Sequence, residues 1–254
     1  MLKEIFIAIE AYSGAHRFIR KHRLWKWVLL PGFFYMLFFS GGIYLFVTTA
    51  SEAIHWFNEA TGLHGWLERS DSGLLNFFVS FGEIIITIIL LVFYFSFFKY
   101  FWLILGSPAF AYLSEKTDAI LHEKEFKFNY RQMLRDILRG IALAIRNTLW
   151  QTVYMLAILI LALIPVIGWA APVLSLIVES YYYGFSMLDY SLERQEMKPS
   201  QSSKFVANHR GLAVGNGMVF YVMHLFPVAG WVLAPAYAVI AATISIYRQT
   251  HKNE

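Results

Sequence analysis

Four long apolar blocks alternate with shorter charged segments, and that pattern predicts membrane-embedded helices. No Asp, Glu, Lys or Arg occurs in the 25 residues from Trp27 to Ser51, and only Glu83 and Lys99 interrupt the run from Leu74 to Ser114. Thirty-two uncharged residues follow from Asn147 to Val178, and 37 from Gly211 to Tyr247. A bilayer-crossing helix needs about 20 apolar residues, so each block is long enough to enter a membrane. Amphipathic pieces lie between the blocks. In 129–147, Leu134, Ile137, Leu138, Ile141 and Ile145 recur at helical spacing, while Arg131, Arg135 and Arg139 form a row on another face. That predicts a helix in the headgroup plane, with its arginines near lipid phosphates. Residues 2–24 read similarly, with Leu2, Ile5, Phe6 and Ile9 set against Lys3, Arg17, Arg20 and Lys21.

The first block predicts a span over 27–48. The second, over 74–105, is about 48 Å long at a rise of ~1.5 Å per residue. It exceeds a hydrocarbon core of about 30 Å and must tilt or project. The last two blocks contain a repeat: Pro165-Val166-Ile167-Gly168-Trp169 recurs as Pro227-Val228-Ala229-Gly230-Trp231, offset by 62, and Ala-Pro follows each copy at Ala171-Pro172 and Ala234-Pro235. Proline removes a backbone donor and clashes with the preceding turn, so with glycine beside it the helix breaks. Each unit therefore reads as helix, tight turn, helix. The hairpins cover 147–188 and 211–247, with turns at Pro165, Gly168, Trp169 and at Pro227, Gly230, Trp231. Their first arms are about 27 Å and about 24 Å long, which suits partial penetration better than full crossing. Either option returns the chain to its starting side. The expected fold class is all-α integral membrane, a single membrane domain over 1–254. It has two long transmembrane helices, two helical hairpins that penetrate part-way, and interfacial amphipathic helices.

Charge then sets the orientation. Residues 1–26 carry six basic and two acidic side chains, 106–147 seven and five, 189–211 four and three, and 248–254 two and one. Residues 48–73 reverse the balance, with Arg69 against Glu52, Glu59, Glu68 and Asp71. Cytoplasmic loops collect Lys and Arg, so 48–73 is expected outside and both termini inside. The first 26 residues mix charge with apolar positions and do not read as a cleavable signal. The net charge of +4 belongs to membrane-flanking segments and predicts anionic lipid, not nucleic acid, as the partner.

Candidate chemistry is sparse. With no cysteine, disulfides, thiolate metal sites and thiol redox centres are excluded. No hydrolase, P-loop or metalloprotease signature occurs, so neither an enzyme nor a cofactor is expected. His55 and His64 near Glu52, Glu59 and Glu68 match no metal-ligand spacing and read as a solvated acidic loop. Ionisable groups inside a membrane are costly and default to functional candidates. Glu83, Glu179 and His224 are thus candidates for pore lining, with an interhelical hydrogen bond as the competing reading for Glu83. Lys99, among Phe97, Phe98, Tyr100, Phe101 and Trp102, reads as a cation snorkelling within an aromatic belt. Arg210-Gly211 opens the last block, with Gly215-Asn216-Gly217 following. Free amides at a helix N-terminus beside a cation favour an anion. Equally, Gly211, Gly215 and Gly217 permit close helix approach in lipid.

Ser107-Pro108-Ala109-Phe110-Ala111-Tyr112-Leu113-Ser114-Glu115, Ser186-Met187-Leu188-Asp189-Tyr190, His209-Arg210-Gly211-Leu212-Ala213-Val214-Gly215-Asn216-Gly217 and the two Pro-Val-x-Gly-Trp turns occur in this order. From about Trp25 to Tyr247 the chain resembles the etoposide-induced membrane-protein family, whose bacterial members include the CysZ sulfate-uptake proteins. The resemblance implies an all-helical oligomer in the bacterial inner membrane that admits sulfate for cysteine synthesis without hydrolysing nucleotide. Those relatives carry a Gly-x-Arg-Arg-like stretch near bound sulfate, just before the first long helix. Here that stretch reads Arg23-Leu24-Trp25-Lys26, with Arg23 where the glycine stands. Their Pro-Phe-Asn is here Pro108-Ala109-Phe110.

The leading expectation is a passive anion pathway, with sulfate as ligand and with Arg23, Lys26 and the segment Arg210, Gly211, Gly215, Gly217 as anion-binding candidates. A homo-oligomer is expected. The alternative is a membrane scaffold or lipid-organising protein without a conducted substrate, built on the amphipathic arginine helix and shallow hairpins.

Overall fold

The structure, a computed structural model, describes residues 1–61, 73–74, 94, 98, 101, 104–125, 130–162, 170–226 and 228–250. Among these, all regular structure is helical. Eight helices are described: α1 (Leu2–Lys21), α2 (Trp25–Thr61), α3 (Ser107–Leu121), α4 (Tyr130–Ala162), α5 (Ala171–Arg194), α6 (Pro199–Asn208), α7 (Arg210–His224) and α8 (Ala229–Thr250). Among the described residues, three stretches are long and apolar enough to cross a membrane: Trp25–Thr49, Ile137–Leu161 and Ala229–Thr250. Prolines open α3, α5 and α6, where the missing N–H has no intrahelical partner to lose.

The chain divides into two compact units, Met1–Met36 with Trp102–Glu254, and Leu37–Phe101. In the second, the later part of α2 packs antiparallel to the described residues Tyr94, Phe98 and Phe101. Phe39 lies 5.1 Å from Phe98 and Phe46 lies 5.0 Å from Tyr94, centroid to centroid, and the Tyr94 hydroxyl donates to the Phe39 carbonyl at 3.2 Å. Glu83 and Lys99, with most of the 74–105 span, lie outside the described residues.

The first unit is built around α8. In that helix 78% of the membrane-length stretch is buried inside the protein, against 22% in α4. α7 and α8 run antiparallel. Trp231 Nε1 donates to the His224 carbonyl at 3.1 Å near their closed end, and Asn216 Nδ2 donates to the Ala238 carbonyl at 3.0 Å further along. α7 ends at His224 and α8 begins at Ala229, and just before α8 Val228 is in the left-handed region at φ 63°. Gly230 and Trp231, expected in the turn, lie instead in the first turn of α8. The φ reversal at Val228 completes the bend, so the chain is free to turn helical at Ala229. Pro165, Gly168, Trp169 and Pro227 lie outside the described residues.

α4 and α5 also pair antiparallel, with polar contacts at 139/189, 147/186 and 151/179. α4 is one continuous helix where the sequence suggested an interfacial piece ending at 147 and a separate arm. The boundary at 147 marks only where charge stops. Gly140 is the sole glycine and no proline occurs from Tyr130 to Ala162, so nothing breaks the backbone ladder. α1 lies on the α7–α8 pair and buries Ala8, Ala11, Tyr12, Ala15, Phe18 and Ile19, leaving Leu2, Phe6 and Ile9 exposed.

Candidate functional site

The corner between α1 and α2 carries two of the cations singled out in the sequence. His22 N–H donates to the Phe18 carbonyl and Leu24 N–H to the Ile19 carbonyl, both at 3.0 Å. Arg23 sits between them at φ 53°. This is the helix stop that glycine normally fills, because a Cβ is strained at positive φ. The same geometry ends α3 at Glu123 (φ 53°) and α5 at Glu196 (φ 57°), so the strain belongs to the stop and not to the arginine. Leu24 is buried and anchors the corner, while Arg23 and Lys26 are exposed. Two further contacts fix it. His16 Nδ1 and Tyr237 Oη are 2.7 Å apart, and Trp27 stacks on Tyr112 with centroids 4.0 Å apart. Burial, then the neighbouring Lys21 charge, pushes His22 below its ordinary value, so its imidazole is neutral at pH 7. The charge of the corner therefore comes from Lys21, Arg23 and Lys26. No carboxylate among the described residues is within ion-pair reach of Arg23 or Lys26.

The start of α7 is arranged differently. Gly211 N–H donates to Glu4 Oε2 at 3.1 Å, His209 Nδ1 meets Glu4 Oε1 at 2.8 Å, and the Met1 amine lies 3.8 Å from Glu4 Oε2. The protein's own carboxylate thus sits where positive helix-end dipoles favour an anion. Arg210 is exposed and donates from Nε to the Ala207 carbonyl. Gly215 abuts Ile5 and Ala8 of α1, and Gly217 abuts the Ser180 backbone of α5. All three glycines are buried where helices meet, as the close-approach reading requires.

The buried ionisable candidates join helices. Glu179 on α5 accepts from Gln151 Nε2 on α4 and, at 2.7 Å, from Tyr221 Oη on α7. His224 Nε2 is 2.6 Å from Tyr35 Oη on α2, with its ring edge-on to Tyr35 and 4.4 Å from Phe220. The structure therefore does not gather the candidates into one cluster: Arg23 and Lys26 share a corner, Glu4 meets Gly211, and Glu179 and His224 hold separate contacts.

Sequence reasoning missed one heavily bonded charge. Arg139, expected to face lipid phosphate, turns inward. It bonds Asp189 through Nη2 at 2.8 Å and Nε at 3.1 Å, Ser202 Oγ at 2.9 Å, and the Met197 carbonyl. Glu193 is 3.8 Å from its Nε, and Arg194 reaches both Glu115 and Glu193 at 3.6 Å. Ser191 donates to Thr243 at 2.6 Å and Ser114 lies near both, while Asn147 donates to Ser186 at 3.1 Å. The available signal was that Ser114, Glu115, Ser186 and Asp189 all stand in the family-like motifs. No group of His, Asp and Glu suited to a metal ion occurs among the described residues.

A model of the family described as sulfate transporter CysZ/etoposide-induced protein 2.4 matches residues 11–235. The matched stretch holds the α1–α2 corner, the Arg139–Asp189 pair and the α7 start. No curated protein matches the chain.

Proposed function

We propose that this chain, which belongs to the sulfate transporter CysZ/etoposide-induced protein 2.4 family, is a passive uptake pathway for sulfate-type anions in the bacterial inner membrane. The family match and the apolar helices support a membrane protein of a transporter family. In the proposal both termini are cytoplasmic, the working form is a homo-oligomer, and the protein uses neither cofactor nor metal.

The observation that carries the ligand assignment is the exposed corner at Arg23 and Lys26, whose charges no described carboxylate compensates. A dianion leaving water needs positive charge at close range, and an arginine fork binds a tetrahedral oxyanion through two donors. At the α7 start the Gly211 amide already serves Glu4, which favours the corner over that segment. In this reading Glu179 and His224 hold helices together and do not contact the anion.

The test is tracer sulfate uptake into liposomes holding the purified protein, with chloride and phosphate as competitors. Arg23→Gly separates charge from structure. It relieves a left-handed residue, so stability should rise by about 1 kcal/mol, while uptake should fall. The doubly substituted Arg23→Ala, Lys26→Ala protein should lose uptake altogether. Sulfate flux no greater than in empty liposomes, from inserted wild-type protein, would replace the proposal with the scaffold reading. Unchanged flux in the double variant would move the site to Arg210.

A further inference from the structure

Arg146 is the last charge before the uncharged block that opens at Asn147, and Arg210 is the last before the block that opens at Gly211. Packing brings both to one level of α5. Asn147 donates to Ser186 at 3.1 Å, which sets Arg146 beside that turn. A Cβ built on Gly184 would fall 1.9 Å from the Ala213 carbonyl oxygen, and one on Gly217 would fall 2.0 Å from that of Ser180. The α7 backbone therefore runs antiparallel against α5, and Arg210, one turn before Ala213, comes level with Met187, one turn after Gly184.

An aromatic surface adjoins both cations. The Arg146 guanidinium lies 5.9 Å from the Phe185 ring centroid, and its Nη1 donates to Ser203 Oγ of α6. Tyr181 is 6.4 Å from Phe185 and 5.2 Å from Tyr182, ring to ring, and the charges of both arginines act on the Tyr181 hydroxyl. Both arginines are exposed and keep donors to spare. Arg210 commits only Nε, to the Ala207 carbonyl at 3.0 Å. No carboxylate among the described residues is within ion-pair reach of either. Glu179, two residues before Tyr181, serves Gln151 and Tyr221 instead.

Beyond Arg146 the surface of α4 turns apolar. Leu149, Trp150, Val153 and Tyr154 follow it at helical spacing on the same face, and all are between 49% and 65% exposed. A pair of cations at the edge of an uncharged block, an aromatic collar and an apolar stripe match the layout of a phospholipid.

We propose that Arg146 and Arg210 seat the phosphate of one anionic phospholipid, whose acyl chains lie along the apolar stripe of α4. A guanidinium fork offers paired donors to phosphate oxygens, and basic pockets between helices at the headgroup level hold such lipids. Two uncompensated cations select a lipid of net negative charge, because a zwitterionic headgroup brings a cation of its own. A free oxyanion would meet the arginines and leave the stripe unused. The site is separate from the α1–α2 corner and stands whether or not the protein conducts sulfate.

Melting of the full-length protein in a neutral detergent, with and without added lipid, tests this. Dioleoyl phosphatidylglycerol at about ten times its Kd should raise the melting temperature by roughly 3–6 °C, while phosphatidylcholine and inorganic phosphate should not. Arg146→Gln and Arg210→Gln should each weaken phosphatidylglycerol about fivefold, and together about 25-fold, leaving a shift under about 1 °C. The readout is the shift each protein gains from lipid, so a change in its starting melting temperature drops out. The control pair Arg17→Gln, Arg20→Gln removes two exposed cations of α1 and should keep the full shift. No shift with phosphatidylglycerol, a wild-type shift in the Arg146→Gln, Arg210→Gln protein, or an equal loss in the α1 control would each overturn the site. Equal stabilisation by phosphatidylcholine would overturn the selection for negative charge. Equal stabilisation by inorganic phosphate would make this a free-anion site and overturn the lipid assignment.

Discussion

α4 and α8 both hold a stretch able to cross a membrane, yet the protein covers 22% of one and 78% of the other. The outer face of α4 is large and apolar, with Leu138, Ile145, Leu149, Trp150, Val153, Leu156 and Ile160 exposed. Its inner edge is fastened by Arg139 to Asp189, Asn147 to Ser186 and Gln151 to Glu179. α8 does the reverse. Ala234, Ala236, Ala238, Ala241 and Ala242 are buried, and α1, α3, α5 and α7 pack around it. Lipid tails are as apolar as leucine, so burying leucine against protein gains little in a bilayer. A helix there is held either by polar contacts along one edge or by small side chains that let neighbours approach closely. This molecule uses one device for each helix.

Asp189→Ala attacks the polar device and should have the largest effect. It leaves the Arg139 guanidinium, 13% exposed, without its bidentate partner, at a cost of about 3–5 kcal/mol. Thermal unfolding in detergent reads this, and a loss below about 1 kcal/mol would show that α4 is held by something else. Next comes a paired comparison of packing. Ala241→Leu in α8 overfills a site that is 0% exposed and should cost about 1–3 kcal/mol. Leu149→Ala, on a side chain 65% exposed, should stay within about 0.5 kcal/mol. Equal losses at the two positions would end the distinction between the helices. The smallest effect is expected from Asn147→Leu, which removes one interhelical hydrogen bond at about 0.6 kcal/mol, the average for such bonds in a membrane protein. A loss as large as that of Asp189→Ala would mean the three ties act as one network, to be resolved by the double variant.

The sequence by itself determined that the chain is helical and apolar enough for a membrane, and it located the last bend to within a few residues. It did so because uncharged block length and Pro-Gly breaks are local properties. It also held the family likeness, in motifs that the family match over residues 11–235 covers. The facing of each helix was decided only by tertiary structure. The row Arg131, Arg135, Arg139 looks like one face, but each four-residue step advances 400° around a helix, so two steps rotate by about 80°. That drift leaves Arg131 and Arg135 exposed and turns Arg139 towards Asp189, 50 residues away. The glycines of α7 allowed two readings in the sequence, anion site or helix contact. The chain folded α1 across their start and placed Glu4 on the Gly211 amide, 207 residues distant. Partners so far apart leave no periodicity to read, because what joins them is the packing of whole helices and not the spacing of residues along one.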